Sequence, residues 1–172
     1  MRGTMTELQK FRADKDRFFA TDAHSPLTHE QKHHFKGLHY LPENRGLRLQ
    51  VAIEAYPTQE TVKMQTTTGE TQTYTRFGRI KFTVEGQEVA LTVFANEDEF
   101  FLPFADSLAG VETYGAGRYL ELEPAGKDIF LVDFNYAYNP YCAYNEAWSC
   151  PVTPAENRLK APIRAGERVY HS

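Results

Sequence analysis

The spacing of the hydrophobic residues changes near Pro42. Upstream, hydrophobic residues in TELQKFRADKDRFFATD recur at the helical period, and Thr6 is suited to cap the helix that this pattern predicts. The apolar side of this helix carries Leu8, Phe11, Phe18 and Phe19. A second, shorter helix is predicted in SPLTHEQKHHFKGL, where Thr28 can cap the start and Gly37 can end the helix.

Downstream of Pro42, apolar residues alternate with polar ones, which is the period of half-buried β-strands. The alternating apolar positions are Leu47, Leu49, Val51, Ile53, Ala55, Val62, Met64, Thr66, Ile80, Phe82, Val84, Val89, Leu91 and Val93. EFFLPF adds a short strand, and RYLELEPAGKDIFLVDF adds a hairpin that turns at Pro124 to Gly126. Gly86-Gln87 suits a two-residue hairpin turn in which the glycine takes the positive φ.

About seven or eight short strands separated by turns predict a mainly β (α+β) fold, built as an antiparallel β-sandwich or a barrel-like sheet. The 172 residues are predicted to form a single domain. Its parts are two N-terminal helices within a cover over 1–40, the antiparallel sheet over 45–135 and an ordered C-terminal loop tail over 136–172. A chain of this length buries enough surface to fold without a metal or a disulfide.

The charge and composition of the chain exclude some partners. A net charge of −4 and a pI of about 5.9 argue against nucleic acid as the main partner. No apolar run approaches the roughly 20 residues of a membrane span, and MRGTMTELQKFRADKDRFF lacks the apolar core of a secretory signal. The expected compartment is the cytoplasm, with no membrane partner and no cofactor. The oligomeric state and the choice of Met1 or Met5 as natural start stay open.

One sequence motif matches the pattern of a zinc-binding site. HEQKH, from His29 to His33, matches the HExxH pattern in which two histidines bind zinc and Glu30 polarises a water, and His39 lies where a third metzincin ligand would fall. However, the glycine of the metzincin pattern comes one residue late, at Gly37, and the predicted helix is short and polar. We therefore predict that these histidines are weak metal candidates and not an essential zinc site.

The stretch DFNYAYNPYCAYNEAWSC, from Asp133 to Cys150, follows neither the strand period nor the helix period. Its many aromatic residues would form a large exposed apolar patch on a flexible loop, so we expect the stretch to be ordered and largely buried. The asparagines and tyrosines would then replace the hydrogen bonds that strands normally make. The residues suited to this role are Asn135, Asn139, Asn157, Tyr138 and Tyr144.

A buried ion pair is predicted beside this stretch. Gly115 and Gly117 in ETYGAGRY permit a tight turn, and Arg118 follows directly with a guanidinium that can bind an anionic group. Asp133 ends the last apolar strand on the same face as Leu131, where a carboxylate needs a partner. Because the two strands form one hairpin, we expect Arg118 and Asp133 to pair. The pair either anchors the tail or forms the centre of a polar pocket.

Three alternatives are open for Cys142 and Cys150, which lie eight residues apart. They can form a disulfide, contribute to a metal or catalytic site, or stay buried as free thiols. With two cysteines and no export signal, we expect free thiols in the cell. The basic residues of the last segment either steer an anionic ligand or form a solvated face. They are Arg158, Lys160, Arg164 and Arg168.

Six blocks of sequence occur in order over most of the chain: SPL, FKGLHYLP, ETYGAGRYLEL, DFNYAYNPYCAY, CPVTPAENRL and PIRAGE. Together they resemble an uncharacterised bacterial and archaeal family, domain of unknown function 1684. The resemblance implies no established activity. It also implies that the histidines and Glu30 of HEQKH are peculiar to this chain and not part of the family pattern.

Two classes of function remain. The first is a binding protein that holds a small polar or anionic ligand in a pocket near Arg118 and Asp133. The second is a hydrolase-like enzyme that uses the same carboxylates and tyrosines, or a metal at the N-terminal histidines. The candidate ligand-binding residues are Glu112, Tyr114, Arg118, Asp133, Asn135, Tyr138, Asn139, Cys142 and Asn157.

Overall fold

Two α-helices and seven β-strands form the described part of the chain, residues 4–171, in the computed structural model. The helices are α1 (Glu7–Thr21) and α2 (His29–His34). The strands are β1 (Arg48–Ala55), β2 (Thr61–Gln65), β3 (Thr71–Val84), β4 (Gln87–Ala95), β5 (Phe100–Phe104), β6 (Arg118–Gly126) and β7 (Ile129–Asp133). None of the helices within residues 4–171 combines the length and the apolar character needed to cross a membrane.

Both predicted helix starts are confirmed. Thr6 and Thr28 each accept a backbone N–H bond from the glutamine three residues later, whose side chain bonds back to the threonine N–H. The predicted end of the second helix is wrong, because α2 ends at His34 and not at Gly37. Phe35 already has extended backbone angles, and its ring packs near the buried ring of Phe19 at a centroid distance of 6.2 Å.

The strands form a closed antiparallel barrel. Neighbours follow the order β1-β7-β6-β5-β4-β3, and β1 pairs back onto β3 to close a ring of six strands. The remaining strand, β2, pairs with β3 outside the ring. Of the two architectures that the sequence pattern predicts, the structure therefore has the barrel, which removes most of the exposed sheet edges.

The barrel closes at a glycine. Gly78 of β3 lies opposite Ala55 of β1, and β3 shifts register against β4 between Arg76 and Gly78. A Cβ atom at Gly78 would lie 2.5 Å from the Glu54 carbonyl oxygen and 2.9 Å from the Ala55 Cα. The two strands can therefore approach this closely only because position 78 has no side chain.

Inward-facing side chains of all six ring strands fill the barrel, and the tail completes this core. Alternation along β4 and β7 places Val89, Leu91, Phe130 and Val132 inside, as the period-two pattern predicts. Phe134, just after β7, belongs to the same cluster, and the tail contributes Ala137, Ala161, Ile163 and Ala165. The tail is therefore part of the core, although its described residues, 136–171, contain no strand.

Two predicted turns are displaced in the structure. The β3–β4 turn consists of Glu85 and Gly86, both with positive φ, one residue earlier than expected. The β6–β7 turn follows Gly126 and includes Asp128 at a φ of 57°, so the hairpin is longer than the sequence suggested. Gly86 has the positive φ that was predicted for it, and in each turn a charged residue, Glu85 or Asp128, also adopts the left-handed conformation.

The predicted burial of the stretch from Asp133 to Cys150 holds for most of its length. Phe134, Asn135, Ala137 and Asn139 are buried, as are most residues through Tyr144. The segment 145–149 is more exposed, and Trp148 is 39% exposed. Single bridges connect the tail with the barrel and with the segment before β1. They join Tyr119 to Tyr138, Ala105 to Arg158, Thr66 to Pro151 and Tyr40 to Glu167.

Candidate functional site

The predicted pairing of Arg118 with Asp133 is wrong. The β6–β7 register pairs Leu131 with Glu123, so Asp133 lies at the level of Glu121 and not at that of Arg118. The side chains of Arg118 and Asp133 also differ in environment, since Arg118 is 1% exposed whereas the Asp133 side chain is 15% exposed. Membership of one hairpin did not bring the two residues together, because register decides which positions face each other.

Arg118 instead anchors the end of the chain. Its guanidinium donates to the carbonyls of Ile163 (2.9 Å), Glu167 (3.1 Å) and Ala165. Its carboxylate partner is Asp106, whose Oδ1 lies 3.8 Å from Nη2. Burial lowers the pKa of Arg118 to about 10, and the charges of Asp106 and Glu167 oppose this shift. The group stays charged at neutral pH and is enclosed, so Arg118 is a structural anchor.

The buried asparagines also have structural roles. Asn157 Oδ1 accepts the N–H of Thr92 at 2.8 Å, and its Nδ2 donates to the carbonyls of Thr92 and Pro103, both at 2.8 Å. Asn139 Nδ2 donates to the carbonyl of Arg168 at 2.9 Å. These contacts confirm that side-chain amides take over backbone hydrogen bonds in the tail.

A groove forms where the β6–β7 ladder ends. β6 and β7 separate beyond Glu123 and Leu131, and Tyr138 of the tail pairs with Tyr119 on the freed part of β6. The first turns of α1 lie across the outer side of this split. The resulting cavity, which we call the polar groove, has a volume of about 910 Å³. It is lined by Thr6, Glu7, Leu8, Phe11, Glu43, Arg45, Arg48, Leu120, Glu121, Glu123, Leu131, Asp133, Asn135, Tyr136 and Tyr138.

Three of the nine predicted site residues meet in the polar groove. Asp133 Oδ1 accepts the N–H of Asn135 at 3.0 Å, and its Oδ2 lies 3.7 Å from Arg48 Nε. Asn135 also holds the segment before β1, because it accepts the N–H of Asn44 at 2.8 Å and donates to its carbonyl at 2.9 Å. Tyr138 is the third residue, and its hydroxyl donates to Glu121.

The charge in the polar groove is negative. The carboxylates are Glu7, Glu43, Glu121, Glu123 and Asp133, and the cations are Arg45 and Arg48. Both arginines lie beside carboxylates, Arg45 at 3.6 Å from Glu43 and Arg48 at 3.7 Å from Asp133. Within residues 4–171, none of the ion pairs involves the three remaining carboxylates. Glu7, Glu121 and Glu123 therefore leave a net negative field.

Aromatic rings flank these carboxylates. The Tyr138 hydroxyl donates to Glu121 Oε1. Burial and the Glu121 charge raise the pKa of Tyr138, so it is a neutral hydrogen-bond donor and not a base at neutral pH. Phe11 and Tyr136 both line the groove and pack edge to face, with ring centroids 4.9 Å apart. The groove thus combines carboxylate oxygens with aromatic faces.

A second cavity lies on the other side of α1. This aromatic groove has a volume of about 640 Å³. Its lining is Phe11, Asp14, Lys15, Phe18, Phe19, Tyr119, Tyr138, Pro140, Tyr141, Trp148, Ser149, Cys150 and Pro151. Tyr138 and Phe11 belong to both grooves, so α1 and the tail tyrosine form the partition between them.

The sequence prediction missed a buried carboxylate under α1. Glu167 is 2% exposed and binds the Lys15 ammonium, the Tyr144 hydroxyl and the Asn139 N–H, the last at 3.3 Å. Burial and the Glu167 charge raise the pKa of Tyr144. The block PIRAGE contains Glu167, but a single acidic residue in a tail carries no periodic signal of burial. Glu121 and Glu123 were missed for another reason, since alternation in RYLELEP marks them only as outward-facing.

The remaining predicted residues lie apart from the polar groove. Glu112 is partly exposed, with its carboxylate 3.8 Å from Arg164 Nη1. Tyr114 lies beside Cys142, its hydroxyl 3.8 Å from the Sγ atom. Both Cys142 and Cys150 are buried free thiols. Arg164 also binds Glu85 at 2.9 Å, so at least one basic tail residue forms surface ion pairs.

The N-terminal histidines lie on or beside α2, away from both grooves. The rings of His29 and His33 are 5.4 Å apart on an exposed helix, and His39 lies beside Tyr170 with a centroid distance of 6.2 Å. In the part of the chain that the structure describes, no three His, Cys, Asp or Glu side chains are grouped to hold a metal ion. That these histidines are not an essential zinc site stays a prediction.

Comparison with known proteins gives two similarities. Residues 33–168 match the family described as "Protein of unknown function (DUF1684)". The chain is also similar to the solution NMR structure of the uncharacterized protein from gene locus rrnAC0354 of Haloarcula marismortui. The identity is 35% and the TM-score 0.72, with 94% of this chain and 92% of that chain covered. No curated protein matches. All seven strands lie within the matched family range, whereas α1 lies before it.

Proposed function

The chain belongs to the DUF1684 family, and we propose that it binds a small polar molecule carrying a protonated amino group in the polar groove. The observation that carries this proposal is a set of three carboxylates, Glu7, Glu121 and Glu123, that form no ion pair among residues 4–171 and lie beside aromatic rings in one cavity. Ligand pockets typically combine a partly apolar lining with a few converging polar groups.

The charge of the groove selects among polar ligands. A free anion would be repelled by three carboxylates that form no ion pair within residues 4–171. The two arginines of the groove, Arg45 and Arg48, already lie beside other carboxylates. An ammonium group would instead gain charge-assisted hydrogen bonds from Glu121 or Glu123. The faces of Phe11 and Tyr136 would add cation–π attraction. Of the polar and anionic ligands that the sequence suggested, the groove therefore favours a polar, cationic one.

The proposal is tested with a matched pair of probes. Putrescine and succinate have four-carbon chains with charges of opposite sign at both ends. We expect putrescine to bind in isothermal titration calorimetry at about 0.15 M salt, with a Kd between roughly 10 μM and 1 mM, as for a small ligand in a partly open groove. Succinate should not bind detectably.

Variants locate the binding. Glu121→Gln combined with Glu123→Gln should weaken putrescine binding at least about tenfold, because two charge-assisted bonds become neutral ones. The control is Glu88→Gln combined with Glu97→Gln, which removes the same charge from exposed positions outside the groove. Equal loss in both variants, or binding of succinate alone, would contradict the proposal.

A further inference from the structure

The two cysteines lie together beneath the exposed part of the tail. The Cys142 N–H donates to Cys150 Sγ at 3.2 Å. With an N–Cα bond of about 1.46 Å, Cys150 Sγ then lies no more than about 4.7 Å from the Cys142 Cα. Both thiols are free and buried, but Cys150 lines the aromatic groove. A small molecule entering that groove therefore meets Cys150, which lies directly against Cys142.

We propose that Cys142 and Cys150 form a redox site in which a hydroperoxide converts the two thiols into an intramolecular disulfide. The Cys142 thiolate attacks one peroxide oxygen, the O–O bond breaks, and Cys142 becomes a sulfenic acid while the other oxygen leaves as hydroxide. The Cys150 thiol then attacks the sulfenic sulfur, forming the S–S bond and releasing water. With hydrogen peroxide, two thiols and one peroxide give one disulfide and two waters.

The surroundings of the pair suit this chemistry. The Tyr114 hydroxyl lies 3.8 Å from Cys142 Sγ, and hydrogen bonds from Cys150 and Tyr114 lower the pKa of Cys142. Thr67 holds the second cysteine, because its hydroxyl accepts the Cys150 N–H at 3.2 Å. Cys142 is thus the attacking thiol and Cys150 the resolving one.

The disulfide would also restrain the wall of the aromatic groove. The ring that it closes contains Trp148, whose indole N–H donates to the carbonyl of Pro26 at 3.2 Å and whose ring lies 5.2 Å from that of Tyr141. Trp148 is the single tryptophan in the chain, so its fluorescence reports on this loop alone. In the absence of peroxide we expect the reduced pair, as the sequence also predicts for the cell.

The experiment treats the reduced full-length chain with one equivalent of hydrogen peroxide at pH 7. We expect free thiols, counted after unfolding, to fall from two to none, with a mass loss of two hydrogens, no dimer on a non-reducing gel and a change in Trp148 fluorescence. Dithiothreitol should restore the starting state. Two persistent thiols, or a disulfide found only between chains, would overturn the proposal.

Variants separate the roles of the two cysteines. In Cys150→Ser, dimedone should trap a sulfenic acid on Cys142, whereas Cys142→Ser should be oxidised at least about tenfold more slowly, because the Tyr114 hydroxyl lies beside position 142 and burial still raises the pKa of the remaining thiol. Tyr114→Phe removes only the hydroxyl and should slow oxidation of the intact pair about threefold at pH 6. A Cys142→Ser chain that reacts as fast as Cys150→Ser would contradict the assigned roles.

Discussion

Single residues hold the tail of this protein through bonds that strands would otherwise supply. Arg118 donates to three carbonyls of the last segment, and Asp106 accepts the N–H of Ile163 at 2.7 Å and the hydroxyl of Thr113 at 2.9 Å. The two charged groups face each other at 3.8 Å in a fully buried site. A buried ion pair is stable only when its other hydrogen-bonding positions are also satisfied, as they are here.

We predict that Arg118 is energetically coupled to Asp106 and not to Asp133. Arg118→Met should lower the free energy of unfolding by about 3–5 kcal/mol, because it leaves a buried carboxylate without its cation. Combined with Asp106→Asn, the loss should be smaller than the sum of the single losses by about 1–3 kcal/mol. Urea unfolding of all variants measures both values. The control is the Arg118→Met and Asp133→Asn pair, which should be additive within about 0.5 kcal/mol.

Asn157 is the second residue with a specific prediction. Its amide fills a gap between β4 and β5, which pair only at Phe94–Phe101 and Ala95–Phe100. Asn157→Ala should destabilise the protein by about 2–4 kcal/mol, since one N–H and two carbonyls lose their partner. As a control, Asn96→Ala affects an exposed turn, and chemical denaturation should show a loss of less than about 1 kcal/mol in its free energy of unfolding. Equal losses would mean that Asn157 does not connect the strands.

At the scale of the elements, the closure of the barrel depends on how closely β1 and β3 approach. β1 pairs with β7 along five residues but with β3 along only three, and Gly78 lies at the end of the shorter ladder. Side-chain volume at that position decides whether the ring closes. The bulge between Arg76 and Gly78 bends β3 so that it can pair with β2 and β4 beyond the closure.

Gly78→Ala should therefore destabilise the protein by about 2–3 kcal/mol or more, because the new methyl group overlaps the backbone of β1. The matched control is Gly115→Ala, whose Cβ would meet only ordinary contacts at 3.7 Å and whose φ is not positive. It should change the stability by less than about 0.5 kcal/mol. Thermal unfolding of both variants distinguishes the two cases, and similar melting temperatures would contradict the assigned role of Gly78.

At the scale of the whole molecule, α1, the tail and the barrel meet around buried tyrosines. Burial, as the largest cause, raises the pKa values of Tyr40, Tyr119, Tyr138 and Tyr144. The neutral phenol is thus favoured in the folded state. Since tyrosines in the unfolded chain titrate near pH 10, the stability from these shifts is complete below that pH and is lost as the pH rises further.

We predict that the free energy of unfolding falls by about 2–4 kcal/mol between pH 10 and pH 11, because the unfolded tyrosines lose protons that the folded ones retain. Urea unfolding at a series of pH values measures the loss. In Tyr144→Phe, which keeps the ring and removes one titrating group, the loss should be smaller by up to about 1 kcal/mol. A stability that stays constant to pH 11 would show that the tyrosines are accessible in the folded protein.

The helix starts and the strands of this protein are determined by the sequence alone. Threonine caps begin both helices where Thr6 and Thr28 predicted, alternation located most of the strands, and the apolar stretch EFFLPF located β5. Caps depend on residues within one turn, and strand burial follows from alternation, so neighbours in the chain suffice to predict them. The burial of the tail could also be predicted, because aromatic rings favour burial and buried amides need hydrogen-bond partners wherever they lie.

The tertiary structure alone decided which distant residues meet. Arg118 pairs with Asp106 and not Asp133, since strand register sets facing positions, and alternation defines a face without defining its neighbour. The polar groove forms where β6 and β7 separate and α1 crosses the gap, so that Glu7 and Glu121 line the same cavity. Closure of the barrel rests on a contact between β1 and β3. Such contacts join residues that are distant in the sequence and depend on how the whole chain packs, so no local sequence pattern predicts them.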